Sequence, residues 1–473
     1  MRNARRFGAL IVAVVLVIST ITGCGKKVEA PTVSKPAEEK AELYENGLPK
    51  NEKVELRAAF FETGELRKHM EYAMQAFTKK YPNVTFNPIF SPSVGDITQP
   101  KIAAGDDKEM FDIFSTMGTL EVELVKNKKI EPLEDLWNQS PQDTPGKTLK
   151  ELAQPGVFDN AKRTEGKTYQ LPWGTFVGGM FFDETLFDKN GWNKAPKTWD
   201  EYLKLCDDIK KANISPIVYP GVYAGYLTDY VFNPKQFELA DISGDLKGFT
   251  ERWQTGGKPY YNSPESLETY QRLADLGKKG YFAPGIAAMN HTQAQMMVLQ
   301  GKAAMVPCGD WIETEMKSAT PEGFKWGYMA VPFRSDAKQP LYLQGGQVDS
   351  VFIWANKPEL NKNWAKQFIL SLWTQEVQKT DAEIGVLSIR NDFSAPEAYS
   401  ESKRKISEYI KNENAKMINA GYTLSWPTDP TAKQADKMWS ENLVNMTLGK
   451  TEPTAVLNKC EEYLEKARQA EKK

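Results

Sequence analysis

Residues 53–90, KVELRAAFFETGELRKHMEYAMQAFTKKYPNVTFNPIF, pass from one hydrophobic period to another and back. Val54, Leu56, Ala58 and Phe60 alternate, which predicts a strand; Leu66, Met70, Ala73, Phe77 and Tyr81 recur at helical spacing. Pro82 ends the helix, NVTFNPIF supplies a second strand, and MFDIFST (110–116) a third after the short helical segment QPKIAAG. The order β-α-β-α-β predicts an α/β fold built on a mostly parallel sheet. Ligands in such sheets bind beyond the C-terminal ends of the strands. Glu62 and Asp112, close to two such ends, are therefore candidate ligand contacts.

The whole chain sets the scale. Its 473 residues exceed what one hydrophobic core usually spans, so two lobes are expected. A formal net charge of -2 argues against a nucleic-acid surface. Aromatic residues are plentiful, with 12 Trp and 19 Tyr, but His69 and His291 are the only histidines, so a histidine-dependent triad or a multi-histidine metal site is hard to assemble. No cofactor or metal is expected. DISGDLKG (241–248) has Asp241, Ser243 and Asp245 at alternate positions, but Leu246 and Arg252 stand where a calcium loop needs Gly and Glu. G-x-S-x-G, H-E-x-x-H and phosphate-loop motifs are likewise absent from the sequence.

At the N-terminus, Arg2, Arg5 and Arg6 precede an apolar run from Ala9 to Ile18 and then Ile21-Thr22-Gly23-Cys24. This predicts a secretory signal over residues 1–23. A Cys after a small residue also resembles the bacterial lipobox, which implies lipidation of Cys24, a palmitate-type membrane anchor, and a place on the outer face of the cytoplasmic membrane. Residues 24–52, rich in Lys, Glu, Ala and Pro, are expected to be a flexible tether. Cys206, Cys308 and Cys460 then remain, an odd number for an exported chain, and are expected to be small buried side chains. Farther along, Thr198 and Glu201 mark a capping box, and Ser263-Pro264 opens another helix.

KAAMVPCGDWIE (302–313) places a large ring, Trp311, where an apolar strand breaks at Gly309-Asp310. That ring either packs in the core or faces a ligand. The order of several pieces resembles the family 1 extracellular solute-binding proteins of ABC importers, the maltose-binding-protein-like sugar-binding lipoproteins. These pieces are the first strand with GELRKHMEYAMQAFTKKYPNVTF; FDIF with LVKNKKIEPLEDLW; GKTYQLPWG; GGMFFDETLFDKNGWNKAPKTWDEYLKLCDDIK; GKAAMVPCGDW; and NKNWAKQFILSLWTQEVQ before IGVLSIR. Phe182-Asp183 departs from the Tyr-Asn that relatives often carry.

The resemblance implies a two-lobed, class II periplasmic-binding-protein-like fold with a ligand cleft between the lobes. Lobe 1 is expected over 53–170 plus 348–386 and lobe 2 over 171–347 plus 387–473, with crossings near 170–174, 346–352 and 384–387. It further implies a monomer that captures a sugar, expected to be an oligosaccharide, and delivers it to membrane permease subunits. Trp311 would be a platform under a sugar face, with Trp173, Tyr223, Trp253 and Trp439 as further cleft rings. Glu62, Asp112, Asp310 and Gln347 would meet hydroxyls. Two alternatives share this equipment: a sugar-sensing binding protein for a membrane kinase, and an exported glycoside hydrolase using two carboxylates.

Overall fold

The structure is a computed structural model that describes residues 42–62, 66–115, 121–159, 161–421 and 425–472, leaving aside the side chains of residues 66 and 347–350. The predicted signal and Cys24 lie outside the described residues. Contacts divide the chain after Glu42, and Leu43–Lys473 form one compact unit.

The opening stretch folds as its periodicity predicts. Strand β1 (Val54–Phe61) pairs in parallel with β2 (Val84–Ser91) and with β3 (Ile113–Ser115). The intervening helix Leu66–Lys80 buries Met70, Ala73, Met74 and Phe77. Beyond these the sheet turns antiparallel: β3 meets β8 (Tyr342–Ile353), which meets β4 (Leu171–Asp183). β4 also pairs with β6 (Ala303–Gly309), β7 (Trp326–Met329) and β9 (Leu387–Ser388). β5 (Ser215–Ile217) lies parallel to β6, and β10 (Lys416–Ile418) parallel to β8. The mostly parallel sheet expected from the first strands therefore holds for β1–β3 and gives way where long strands return through the molecule.

Two large apolar cores form on this frame. One gathers β1, the helix Leu66–Lys80 and the helices Glu359–Ser371 and Gln375–Glu383; the other gathers the end of β4, β6, β7 and the helices Trp199–Lys211, Pro264–Lys278, Pro430–Thr447 and Pro453–Ala470. Along β4, Trp173 belongs to the first core and Val177 to the second. Around β9, Leu387 belongs to the second and Ile389 to the first.

Where the chain passes between cores, its polar groups are satisfied by a buried network. Gln378 donates from Nε2 to the carbonyls of Trp173 (2.7 Å) and Leu372 (2.9 Å) and to Asp381 (3.0 Å), and its Oε1 accepts from Ser388 Oγ (2.6 Å) and Ile389 N (2.9 Å). Asp381 pairs with His69, both fully buried, and burial raises the Asp381 carboxyl to about 6 against the opposing pull of that imidazole. His69 stacks on Trp173 at 4.2 Å and 13°.

Local signals resolve with one shift and one correction. Thr198 caps its helix by accepting from Glu201 N (3.3 Å), but Glu201 reaches back to Lys197 N (2.7 Å) rather than to Thr198. Ser263 accepts from Ser266 N (3.1 Å) ahead of Pro264. Cys206, Cys308 and Cys460 are buried and unpaired. The expected tether is too long at its C-terminal end: Tyr44 packs edge-on against Tyr81 (5.0 Å) and Trp364 (5.7 Å), and Leu43 bridges to Pro49. Leu48 packs on the same core and Asn83 Nδ2 donates to the carbonyls of Pro49 (3.1 Å) and Glu52 (2.9 Å), so a few contacts dock a mostly polar stretch.

Trp173 is 1% exposed, so a core role follows for it. Trp173→Ala is expected to lower stability by about 3–5 kcal/mol through lost burial and the cavity left behind, measured by urea unfolding.

Candidate functional site

Every residue of β6 is buried, and the strand ends at Gly309 with its polar groups taken up at once. Asp310 N donates to Val177 O (3.0 Å), Asp310 Oδ1 accepts from Val177 N (3.3 Å), and Oδ2 accepts from Lys403 Nζ (2.6 Å). Burial raises the Asp310 carboxyl above the usual range, while the Lys403 charge pulls it down. Asp310 is 3% exposed, which corrects its expected role as a ligand contact: it fixes a turn.

That turn presents Trp311. Half-buried, the residue starts the single-turn helix Ile312–Glu315, and its ring folds back over Gly309. A Cβ at Gly309 would lie 2.1 Å from the indole, so only glycine admits this pose. Phe176 meets the indole at 5.3 Å and 62°, and Tyr230 at 5.4 Å and 79°.

Tyr230 belongs to a π-helical turn, Thr228–Phe232, that leads into the helix Asn233–Ser243. Gly178 lets this turn approach β4, since a Cβ there would lie 2.6 Å from the Tyr230 carbonyl oxygen. From Tyr230 the rings continue outward: Tyr226 at 4.6 Å, then His291 at 4.3 Å from Tyr226, then Tyr223 stacked on His291 at 4.3 Å and 8°. Tyr223 is 51% exposed, so the run ends in solvent.

Asp229, the neighbour of Tyr230, faces a cavity of about 420 Å³ lined by Trp253, Tyr260, Tyr270, Asp436 and Trp439. Trp439 Nε1 donates to Tyr270 Oη (2.8 Å), Trp253 Nε1 to Ala420 O (2.8 Å), and Tyr261 Oη to Asp436 Oδ1 (2.6 Å). Asp229 accepts from Asn233 Nδ2 (3.0 Å), and the surrounding protein strips enough water from its carboxyl to raise it to about 6, although the residue remains exposed.

Of the sequence candidates, Trp253 and Trp439 thus meet at one cavity, and Trp311 and Tyr223 stand at two ends of one ring run. Trp253 is 8% exposed and contributes an edge while its body packs on Phe237 and Phe249. Glu62 is half-buried just beyond β1, with Arg67 Nη1 at 3.4 Å. Asp112 does not join it. It precedes β3, level with Arg57, and the five residues separating Arg57 from Glu62 correspond to ~16 Å of strand. Its Oδ2 accepts from Arg57 N (2.9 Å) and Oδ1 from Asn361 Nδ2 (2.9 Å), so this acid stitches the sheet. Trp173 lies in the core beneath His69. The backbone of Gln347 sits opposite Thr175, and its side chain falls outside the described residues. Tyr230, Asp229, Tyr260 and Asp436 are additions. Tyr230 continues the 223, 226, 230 spacing and was findable by helical period; Asp229 and Asp436 carry no local signal.

A family model described as bacterial extracellular solute-binding protein matches residues 42–379. The chain belongs to that family. Diacetylchitobiose binding protein NgcE of Streptomyces coelicolor is 26% identical over 298 residues, covering 62% of this chain and 60% of that protein. A solved chitin oligosaccharide binding protein superposes with a TM-score of 0.63 at 20% identity, over 88% of this chain and 99% of that one. The apo form of RafE from Streptococcus pneumoniae gives 0.68 at 16% identity, over 88% and 98%. These structures share with this solute-binding protein a two-lobed fold, and the family is one of binding proteins rather than of enzymes. Among the described residues no helix is long and apolar enough to cross a membrane.

The Asp310–Lys403 pair is buried on both sides, 3% and 2% exposed. Lys403→Met is expected to destabilise by about 3–5 kcal/mol because it strands a buried acid, and adding Asp310→Asn is expected to restore part of that loss in urea unfolding.

Proposed function

We propose that this protein captures a sugar between two lobes and delivers it to the membrane subunits of an ABC importer. The observation that carries this is the half-buried Trp311, held at a strand end by an anchored turn and continued by Tyr230, Tyr226 and Tyr223. A sugar face is weakly apolar with slightly positive C–H groups, so ring faces bind it while excluding water. The extent of the ring run, and the second aromatic surface at Trp253 and Trp439, support an oligosaccharide over a monosaccharide. The names of the chitobiose- and chitin-oligosaccharide-binding relatives support the same class.

The division into lobes proposed here is 53–170 plus 348–386 and 171–347 plus 387–473. Contacts from both to one ligand favour a closed form over an open one. The protein acts as a monomer, tethered through lipidated Cys24 to the outer face of the cytoplasmic membrane. Permease subunits are its partners in transport.

Two measurements test this. Trp311→Ala is expected to weaken binding of the captured oligosaccharide by about 1–3 kcal/mol, roughly ten- to a hundred-fold, in calorimetric titration, with a smaller change in urea stability. Full affinity combined with a stability loss of the size of a core-ring deletion would return Trp311 to the core. Metabolic labelling with a fatty acid is expected to mark the wild-type protein and not Cys24→Ala, and an unlabelled wild type would remove the anchor.

A further inference from the structure

The cavity beside Asp229 has an uneven supply of hydrogen-bonding groups. Most of its neutral donors are engaged: Trp253 Nε1 on Ala420 O, Trp439 Nε1 on Tyr270 Oη, Tyr261 Oη on Asp436 Oδ1, Asn233 Nδ2 on Asp229 Oδ1, and Ser440 Oγ on Lys437 O, while Gln236 Nε2 and Ser266 Oγ have no acceptor among the described residues. Acceptors are left over. Asp229 and Asp436 each keep one carboxylate oxygen without a hydrogen bond from the described residues, and Gln236, 1% exposed and lining the cavity, has an Oε1 with no partner. The hydroxyls of Tyr260 and Tyr270 serve either way. Lys437 is the one cation among the described lining residues; its side chain is 74% exposed and lies 3.7 Å from Glu441.

The walls add a second preference of the same sign. Trp253 and Tyr260 lie 5.3 Å apart at 30°, and Tyr270 and Trp439 line the same space. Asp229 and Asp436 line the same cavity as these rings. Aromatic faces carry negative charge density and attract cations, most strongly where water is partly excluded. Asn233 Nδ2 is the one side-chain donor to Asp229 among the described residues.

Building on the sugar-capture reading, we infer that this cavity receives a protonated amino group of the ligand, so that the preferred substrates are oligosaccharides containing unacetylated amino sugars. The ammonium donates to Asp229 and Asp436 while its charge lies among Tyr260, Tyr270 and Trp439. A neutral hydroxyl at that place supplies one donor and no charge, and an N-acetyl group supplies one donor with an acceptor that finds acceptors opposite it.

Calorimetric titration of the mature protein at about pH 6.5, where carboxylate and amine are both largely charged, separates these cases. The probes are β-1,4-linked trimers of glucosamine, N-acetylglucosamine and glucose. The glucosamine trimer is expected to bind about ten-fold or more tightly than the glucose trimer, with an affinity that falls as sodium chloride is raised. Asp229→Asn and Asp436→Asn are each expected to reduce that preference several-fold and to flatten the salt dependence of glucosamine-trimer binding. The salt dependence reads the same charge pairing without any substitution. Equal or tighter binding of the glucose or N-acetylglucosamine trimer, insensitive to salt, would overturn the amino-group assignment and leave sugar capture standing. Absence of binding by all three, together with no response to a wider oligosaccharide panel, would overturn both.

Discussion

A single buried carboxylate organises the candidate site. Asp310 reaches β4 through Val177 N and the helix Glu401–Asn412 through Lys403, so three segments distant in sequence meet at one side chain. Taking two charges out of water is unfavourable, and only close pairing with further hydrogen bonds offsets it. The benefit here is geometric. With the Asp310 backbone also bound to Val177 O, the chain leaving β6 has one path, and Trp311 emerges against Phe176 and Tyr230 rather than sinking into the core.

The same logic governs the passage between the two cores. β4 is shared by β8, β9, β6 and β7, and a strand pairing with so many neighbours cannot leave backbone groups open. Gln378 takes up the Trp173 carbonyl of β4 and the Ile389 amide that follows β9, and the adjoining His69–Asp381 pair brings in the helix Leu66–Lys80. A network of this kind is sensitive to the loss of any member, because each partner would be left buried without a substitute.

Two surfaces flank the π-helical turn Thr228–Phe232, and the turn is what sets them side by side. Within it Asp229 addresses the cavity of Trp253 and Trp439 while Tyr230 addresses Trp311. Extra residues in a helical turn change which side chains point the same way, and such turns occur often at functional sites. One surface offers ring faces alone; the other offers rings with carboxylates. A ligand spanning both would present an apolar face to the first and donors to the second.

Much of this was legible locally. Alternation in residues 54–60 and helical spacing in 66–81 specify β1 and its helix, because each period reports which face is buried. The break at Gly309-Asp310 marked Trp311, and the order of several motifs carried the family. Sequence could not sort the acids. Asp112 and Asp310 look like any polar residue near a strand end, yet their partners are Arg57, Asn361 and Lys403, far away in the chain. Asp229 and Asp436 carry no local signal, yet both open onto an aromatic cavity. Whether a carboxylate is locked or available depends on which donors the fold brings to it, and Trp173 shows the same for rings: it is buried in the first core, with His69 from a distant helix stacked on it. Local pattern fixes which elements form; the long-range donors and packing partners that only the assembled chain provides decide which of their side chains are free to bind.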